Sequence, residues 1–295
     1  MRAERLRGYG LVLVAAGLWA TLGLIYHQLE IYGLSPLTIA FFRAAVSALI
    51  LFPILMWRRP GWLKLERRDW LLFIILGLFG VAAFFVVYIY AIDLTGMGVA
   101  AVLMYTAPAW VALISAIFFG ERLGALKIAV LLLACAGCGL VGRVYDVDSV
   151  RLNALGILAG LGAGLTYGLY TIFSKVAQRR YTAWGTLAYA MGLGALFMLP
   201  LQSPGDVVQA LTSPAAIFWL LTLALIPTLV GGAAFNAALR RVPASEASVV
   251  ATLEPVIAAL LGWAFLKEQM DPLQLLGAGL ILTAVIILQR ESTNT

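Results

Sequence analysis

Apolar residues fall along this chain in ten blocks, and the polar residues gather in short stretches between them. The blocks cover residues 9–27, 36–56, 70–92, 97–119, 125–142, 153–174, 183–201, 216–238, 245–266 and 272–289. A hydrocarbon core of ~30 Å takes roughly 20 helical residues to cross, so each block predicts one spanning helix. The stretches between blocks are too short to hold a soluble catalytic domain. The pattern therefore predicts an all-α integral membrane protein with ten transmembrane helices.

The pattern also repeats. A shift of 147 positions, half of the 295 residues, lays 97–126 on 244–273 without a gap, and eight of the thirty positions match. Among them Pro108 meets Pro255 and Glu121 meets Glu268, and the same shift puts Gly17-Leu18 on Gly164-Leu165. Leu and Ala matches arise freely in so apolar a chain, so the paired Pro and Glu carry the register. Two five-helix repeats are expected, 1–147 and 148–295, working as one unit.

Composition and charge refine this picture. Hydrophobic residues make up 63% and charged residues 12%, with mean hydropathy +0.98 and a pI near 9.5. A soluble domain averages about half apolar and a quarter charged. In a soluble protein the basic balance would suggest nucleic acid; here its placement explains it, and no nucleic-acid partner is expected. Sixteen of the twenty Lys and Arg lie in one alternate set of loops and termini, and only Arg143, Arg151 and Lys267 lie in the other set. By the positive-inside rule both termini are cytoplasmic. Five spans per half then force the repeats to insert with opposite orientation, a recurrent design of secondary transporters with a midplane site. Arg2, Arg5 and Arg7 before the first block imitate a signal peptide, but the shifted counterpart at 156–174 is internal, so the first block is expected to be part of the fold.

Catalytic constellations are missing from the pattern. There is one histidine, His27, so no His-based metal site or triad is available. Cys135 and Cys138 form a C-x-x-C inside an apolar block, without a second pair, and are expected to be small buried residues. No Gly-rich phosphate loop precedes a soluble helix. Gly156, Gly160, Gly164 and Gly168 recur every four residues, which in a span marks a face for close helix packing. No cofactor, metal or ATPase partner is expected, and the chain is expected to work as a monomer.

Two prolines and two charges stand out inside the blocks. Pro108 and Pro255 fall in mid-span, where each removes a backbone donor from the carbonyl four residues earlier, Met104 or Ala251. Matching breaks in both halves favour hinges or gates over static kinks. Arg43 lies about two turns into the second block and Glu254 beside the second proline. Charges at such depth usually face a cavity or a partner. Arg43 either snorkels to the outer headgroups or meets a substrate carboxylate. Glu254 either braces the kink as a hydrogen-bonded acid or takes a proton-sensitive role.

The segment Leu253-Glu254-Pro255 through Leu266-Lys267-Glu268, with its echo Ala107-Pro108 to Gly120-Glu121-Arg122, resembles the paired signature of the drug/metabolite transporter superfamily. Ser35-Pro36-Leu37-Thr38 followed by Arg43 resembles the second-helix pattern of its EamA-type members. The resemblance spans the whole chain. It implies a ten-helix bundle around a central cavity, in the inner membrane of a bacterium, exporting amino acids or other metabolites. Thr166-Tyr167 stands where the first half has Trp19-Ala20, so the halves are not equivalent. With Arg43 the sole deep cation, sugar phosphates fit poorly; without an acid in the first block, cationic drugs fit poorly too. Aromatic residues are plentiful, and Tyr and Trp combine apolar area with one polar handle. The expected cavity residues are Trp19, Arg43, Tyr88, Tyr105, Trp110, Tyr167 and Glu254, with Pro108 and Pro255 as hinges. The expected substrates are small molecules, aromatic and other neutral amino acids; drugs or other amphipathic metabolites are the alternative. A membrane-embedded enzyme or a receptor would need clustered reactive groups or a large external domain, and the sequence offers neither.

Overall fold

The computed structural model describes residues 2–121, 123–146, 153–267 and 269–294. Glu268 and Arg122 of the paired signature, and Arg151 of the far loop, lie outside the described residues. Sixteen α-helices follow one another: α1 Arg2–Trp19, α2 Leu22–Ile31, α3 Pro36–Arg58, α4 Trp70–Gly77, α5 Phe84–Thr95, α6 Met97–Met104, α7 Ala107–Phe119, α8 Ala125–Val141, α9 Ala154–Ala177, α10 Ala183–Met198, α11 Pro204–Thr212, α12 Pro214–Leu223, α13 Gly232–Ala238, α14 Ala244–Ala251, α15 Leu253–Leu266 and α16 Pro272–Asn294. Among the described residues nine helical stretches are long and apolar enough to cross a membrane, and Ala125–Val141 is a shorter apolar helix beside them. Together they account for the ten apolar blocks.

Several element starts keep the 147-residue register: α3 and α10 begin at 36 and 183, α6 and α14 at 97 and 244, α8 and α16 at 125 and 272. Their local causes match as well. Ser35 and Thr182 both accept a backbone N–H with the side chain, from Thr38 and Gly185, and so cap α3 and α10. Gly120 and Lys267 both end their helices in the left-handed region, at φ 67° and 60°. For Lys267 that conformation carries the steric penalty a Cβ brings.

Five spans are not the straight helices that the apolar blocks suggest. The first breaks at Ala20–Thr21 into α1 and α2. The third and eighth each widen into a π-helical segment, Leu78–Ala83 and Ala224–Gly231, which join α4 to α5 and α12 to α13. The fourth and ninth break fully at Tyr105–Thr106 and at Thr252. At those two breaks Pro108 and Pro255 stand in the first turn of the new helices α7 and α15, where a missing N–H costs little. The break frees carbonyls, and two hydroxyls answer them: Thr106 donates to Leu103 O at 2.6 Å and Thr252 to Val249 O at 2.6 Å.

Close packing follows the small residues. α9 lies against α5, α6 and α7. A Cβ added at Gly156, Gly160 or Gly164 would run into Leu94 and Thr95, into Leu103, or into Thr106 and the Leu103 carbonyl. The glycine ladder is thus a packing face. α8 and α16 meet just as tightly, since a Cβ on Gly277 would sit 2.7 Å from the Gly137 carbonyl. α3 packs on the second π segment, and α10 on the first and on α4, which interleaves the halves.

Polar ties close the end of the bundle that carries the N-terminus. Tyr9 donates to Glu246 at 2.5 Å, with Arg5 at 3.7 Å from the same carboxylate. Ser245 donates to Glu121, which also pairs with Lys127 at 3.1 Å. Lys175 donates to the carbonyls of Leu239 and Val242. At the far end the ties join neighbouring elements: Ser35 and Thr38 to Asp206 of α11, and Arg143 and Tyr145 to Asp271 before α16. The Tyr145 hydroxyl donating to Asp271 holds that carboxyl below its ordinary range.

Candidate functional site

The helix breaks and π segments lie around one central region, and its lining can be built from α3 inward. Ser35 caps α3 and Pro36 opens it. Counting from there, Arg43 falls in the third turn, pointing across to the second π segment. Its Nε donates to the Thr228 hydroxyl at 2.9 Å, and its guanidinium carbon lies 5.0 Å from the centre of the Phe85 ring. The Tyr26 hydroxyl of α2 faces the same guanidinium. Arg43 therefore does not snorkel away from the protein; it is held in place by protein groups.

Opposite stands Glu254, in the first turn of α15 just past the break at Thr252. Its carboxylate faces the Tyr105 hydroxyl, and Arg43 is the cation it senses. Arg43 nevertheless forms no ion pair with any carboxylate among the described residues. A half-buried guanidinium and a half-buried carboxylate in one region, unpaired, are each left short of a counter-charge.

Aromatic rings make the wall between the two charges. Tyr88 stacks on Phe84 with centroids 5.8 Å apart, and Phe84 stacks on Tyr167 at 5.3 Å. Tyr167 meets the edge of Trp19 at 6.4 Å, and Trp19 leans on Phe235 at 5.1 Å. Trp19 fits there because Gly231 of the π segment has no side chain: a Cβ on it would lie 3.0 Å from the indole nitrogen. Below the rings Asn236 donates to Tyr170 at 2.9 Å and accepts from Gln178, all three buried.

The structure thus brings Trp19, Arg43, Tyr88, Tyr105, Tyr167 and Glu254 to one region. Trp110 is not among them: its Cβ packs against Gly168 of α9, and its ring meets none of the wall aromatics among the described residues. Pro108 and Pro255 sit at the two breaks beside Tyr105 and Glu254. Sequence reasoning missed Thr228, Phe235 and Asn236. A polar residue following Pro227, and a lone Asn in an apolar block, were the available signals. Among the described residues no three His, Cys, Asp or Glu cluster as metal ligands would, and Cys135 and Cys138 are free thiols.

Such a site can hold a molecule by charge at both ends and by apolar contact between. It presents no nucleophile beside a base. Comparison with known proteins agrees with a transport role. The sequence profile of the EamA-like transporter family matches residues 6–143 and again 154–290. The uncharacterized transporter YwfM of Bacillus subtilis is 28% identical, covering 94% of this chain and 92% of its own. A probable terminal-alkyne amino-acid exporter of Streptantibioticus cattleyicolor is 28% identical over 88% of this chain and 83% of its own. The pseudopaline exporter CntI of Pseudomonas aeruginosa is 28% identical over 85% of each chain. A solved crystal structure superposes with a TM-score of 0.78 at 18% identity, covering 96% of this chain and 98% of that one.

Proposed function

The chain belongs to the EamA-like transporter family, and from that premise we propose that it exports neutral amino acids, aromatic ones above all, and related zwitterions by alternating access. One observation carries the reading: Arg43 and Glu254 face one aromatic-walled region without pairing to each other. A zwitterion supplies the two missing counter-charges, its carboxylate to the guanidinium and its ammonium to the carboxylate. An apolar or aromatic side chain then covers the Phe84, Tyr88 and Tyr167 rings. Two relatives named as exporters, one of an amino acid and one of pseudopaline, support this class. The protein sits in the bacterial inner membrane with both termini cytoplasmic, as a monomer made of inverted halves 1–147 and 148–295.

Flux in proteoliposomes against a panel of amino acids, at two pH values, tests this. Neutral and aromatic amino acids are expected to move faster than sugar phosphates or amines lacking a carboxylate. Faster movement of sugar phosphates would overturn the zwitterion site.

In the same reading the helices flex at the breaks beside Pro108 and Pro255. Alanine at either position restores a backbone donor and favours a continuous helix. Pro108→Ala and Pro255→Ala are each expected to slow flux by about three- to tenfold with KM little changed, a hydrogen bond being worth about 0.5–1.5 kcal/mol. Because the halves are inverted, the two variants are expected to bias opposite facing states in cysteine labelling from each side. Parental rates in both, or the same bias in both, would make the breaks static.

A further inference from the structure

We propose that Thr228 is a positioning residue: fixed by the π segment around Pro227, it aims the Nη edge of the Arg43 guanidinium at the substrate carboxylate. The inference rests on the carboxylate reading of Arg43 given above and extends it to a residue on another helix.

The geometry begins with Pro227. It has no N–H to offer the carbonyl four residues back, Leu223. The neighbouring Thr228 hydroxyl donates to that carbonyl instead, at 2.8 Å. Its proton is thereby committed, and its lone pairs are left to accept. Arg43 Nε takes them at 2.9 Å. Thr228 is 2% exposed, so water does not compete freely for its hydroxyl, although Arg43 itself is only half-buried. A second strut runs parallel one turn along α3: Ser47 donates to the Arg43 carbonyl at 2.7 Å and reaches the Ala224 carbonyl at 3.4 Å, where the π segment begins.

The consequence is directional. A guanidinium has five N–H donors in a rigid plane. Thr228 occupies the Nε–H, and Phe85 covers one face. The Tyr26 hydroxyl also faces the guanidinium, and the edge with both Nη groups is the one that binds a carboxylate in a fork. A flexible arginine would lose rotamer freedom on binding; one already held loses less. π-helical turns concentrate at functional sites, and here the turn has a stated task. The symmetry-related place lacks the device. By the 147-residue shift the mates of Pro227, Thr228 and Arg43 are Gly80, Val81 and Ala190, so the first π segment, Leu78–Ala83, meets an alanine where the second meets Arg43.

The test compares Thr228→Val, Thr228→Ser and Arg43→Ala in proteoliposomes of the full chain, using the neutral amino acid that the parent exports fastest. Thr228→Val keeps the shape and removes the hydroxyl. It is expected to raise KM by about fivefold or more with kcat kept, as loss of a bond to a charged group implies, and Thr228→Ser is expected to restore KM. A second readout needs no substrate: with the arginine Nε–H groups labelled for NMR, the protected Arg43 signal of the parent is expected to exchange faster in Thr228→Val and not in Thr228→Ser. Equal exchange in all three proteins, an unchanged KM in Thr228→Val, or a fall in kcat alone overturns the positioning role. If KM responds to Arg43→Ala but not to Thr228→Val, only this inference fails. If Arg43→Ala also leaves KM unchanged, the carboxylate reading fails with it.

Discussion

Replacing Arg43 with alanine is expected to weaken apparent affinity for a zwitterionic amino acid by about ten- to a hundredfold. Charge-assisted hydrogen bonds contribute about 1.5–3 kcal/mol, and each 1.4 kcal/mol is tenfold. Among the described residues Arg43 is the one cation held by this aromatic wall, by Thr228 and Phe85. Arg43→Lys is expected to recover only part of the loss, because an ammonium is a point charge and cannot present a planar fork. The loss should not come from unfolding: Arg43 is partly exposed, and removing it leaves Thr228 its bond to Leu223 and Tyr26 without the guanidinium it faces. Counterflow of labelled amino acid, with a monodisperse size-exclusion profile as the folding control, checks this. Parental affinity in Arg43→Ala would leave the guanidinium a structural group.

How much of this was legible in the sequence depends on what each feature does to hydropathy. The ten apolar blocks and the starts at Pro36 and Pro272 were legible because a bilayer imposes length and because Ser35-Pro36 is a capped helix start. Arg43 and Glu254 stood out because a charge inside an apolar block usually faces a cavity or a partner. The break at Ala20–Thr21 and both π segments were not, since each changes the phase of a helix without changing its composition. Phase decides facing. Phe235, just past the π segment, meets Trp19, and Trp110, expected at the cavity as one of many aromatics, packs its Cβ against the glycine face of α9. The short α11, Pro204–Thr212, hides for a related reason: nine residues of mixed polarity between two apolar blocks look like a loop. The repeat was legible in its scaffold and does not extend to the two charges, because Glu254 has Ala107 as its mate and Arg43 has Ala190.

The pair Gly17 and Gly164 puts alternating access itself to the test, since the two are mates by the same shift yet differ in surroundings. A Cβ on Gly164 would meet the Thr106 hydroxyl, the Leu103 carbonyl at 2.8 Å and the Met104 carbonyl at 3.2 Å, all at the α6–α7 break. A Cβ on Gly17 would meet nothing within 4 Å. α9 is thus closed on its broken partner, while α1 is open at the matching level. If inverted halves exchange roles during transport, the other facing state closes α1 on the α14–α15 break and needs Gly17 bare. Gly164→Val is then expected to destabilise the state seen here, because backbone carbonyls cannot yield as a side-chain tip can. Overpacking costs about 1–3 kcal/mol or more, enough to lower the melting temperature in detergent by about 5 °C. Gly17→Val is expected to fold with a parental melting temperature and yet to lose transport by about tenfold, since a similar cost now falls only on the state the cycle must visit. Cysteine labelling should find this variant held in the present facing state. A Gly17→Val protein that transports at the parental rate would show that α1 never closes as α9 does, and that the two halves do not exchange roles.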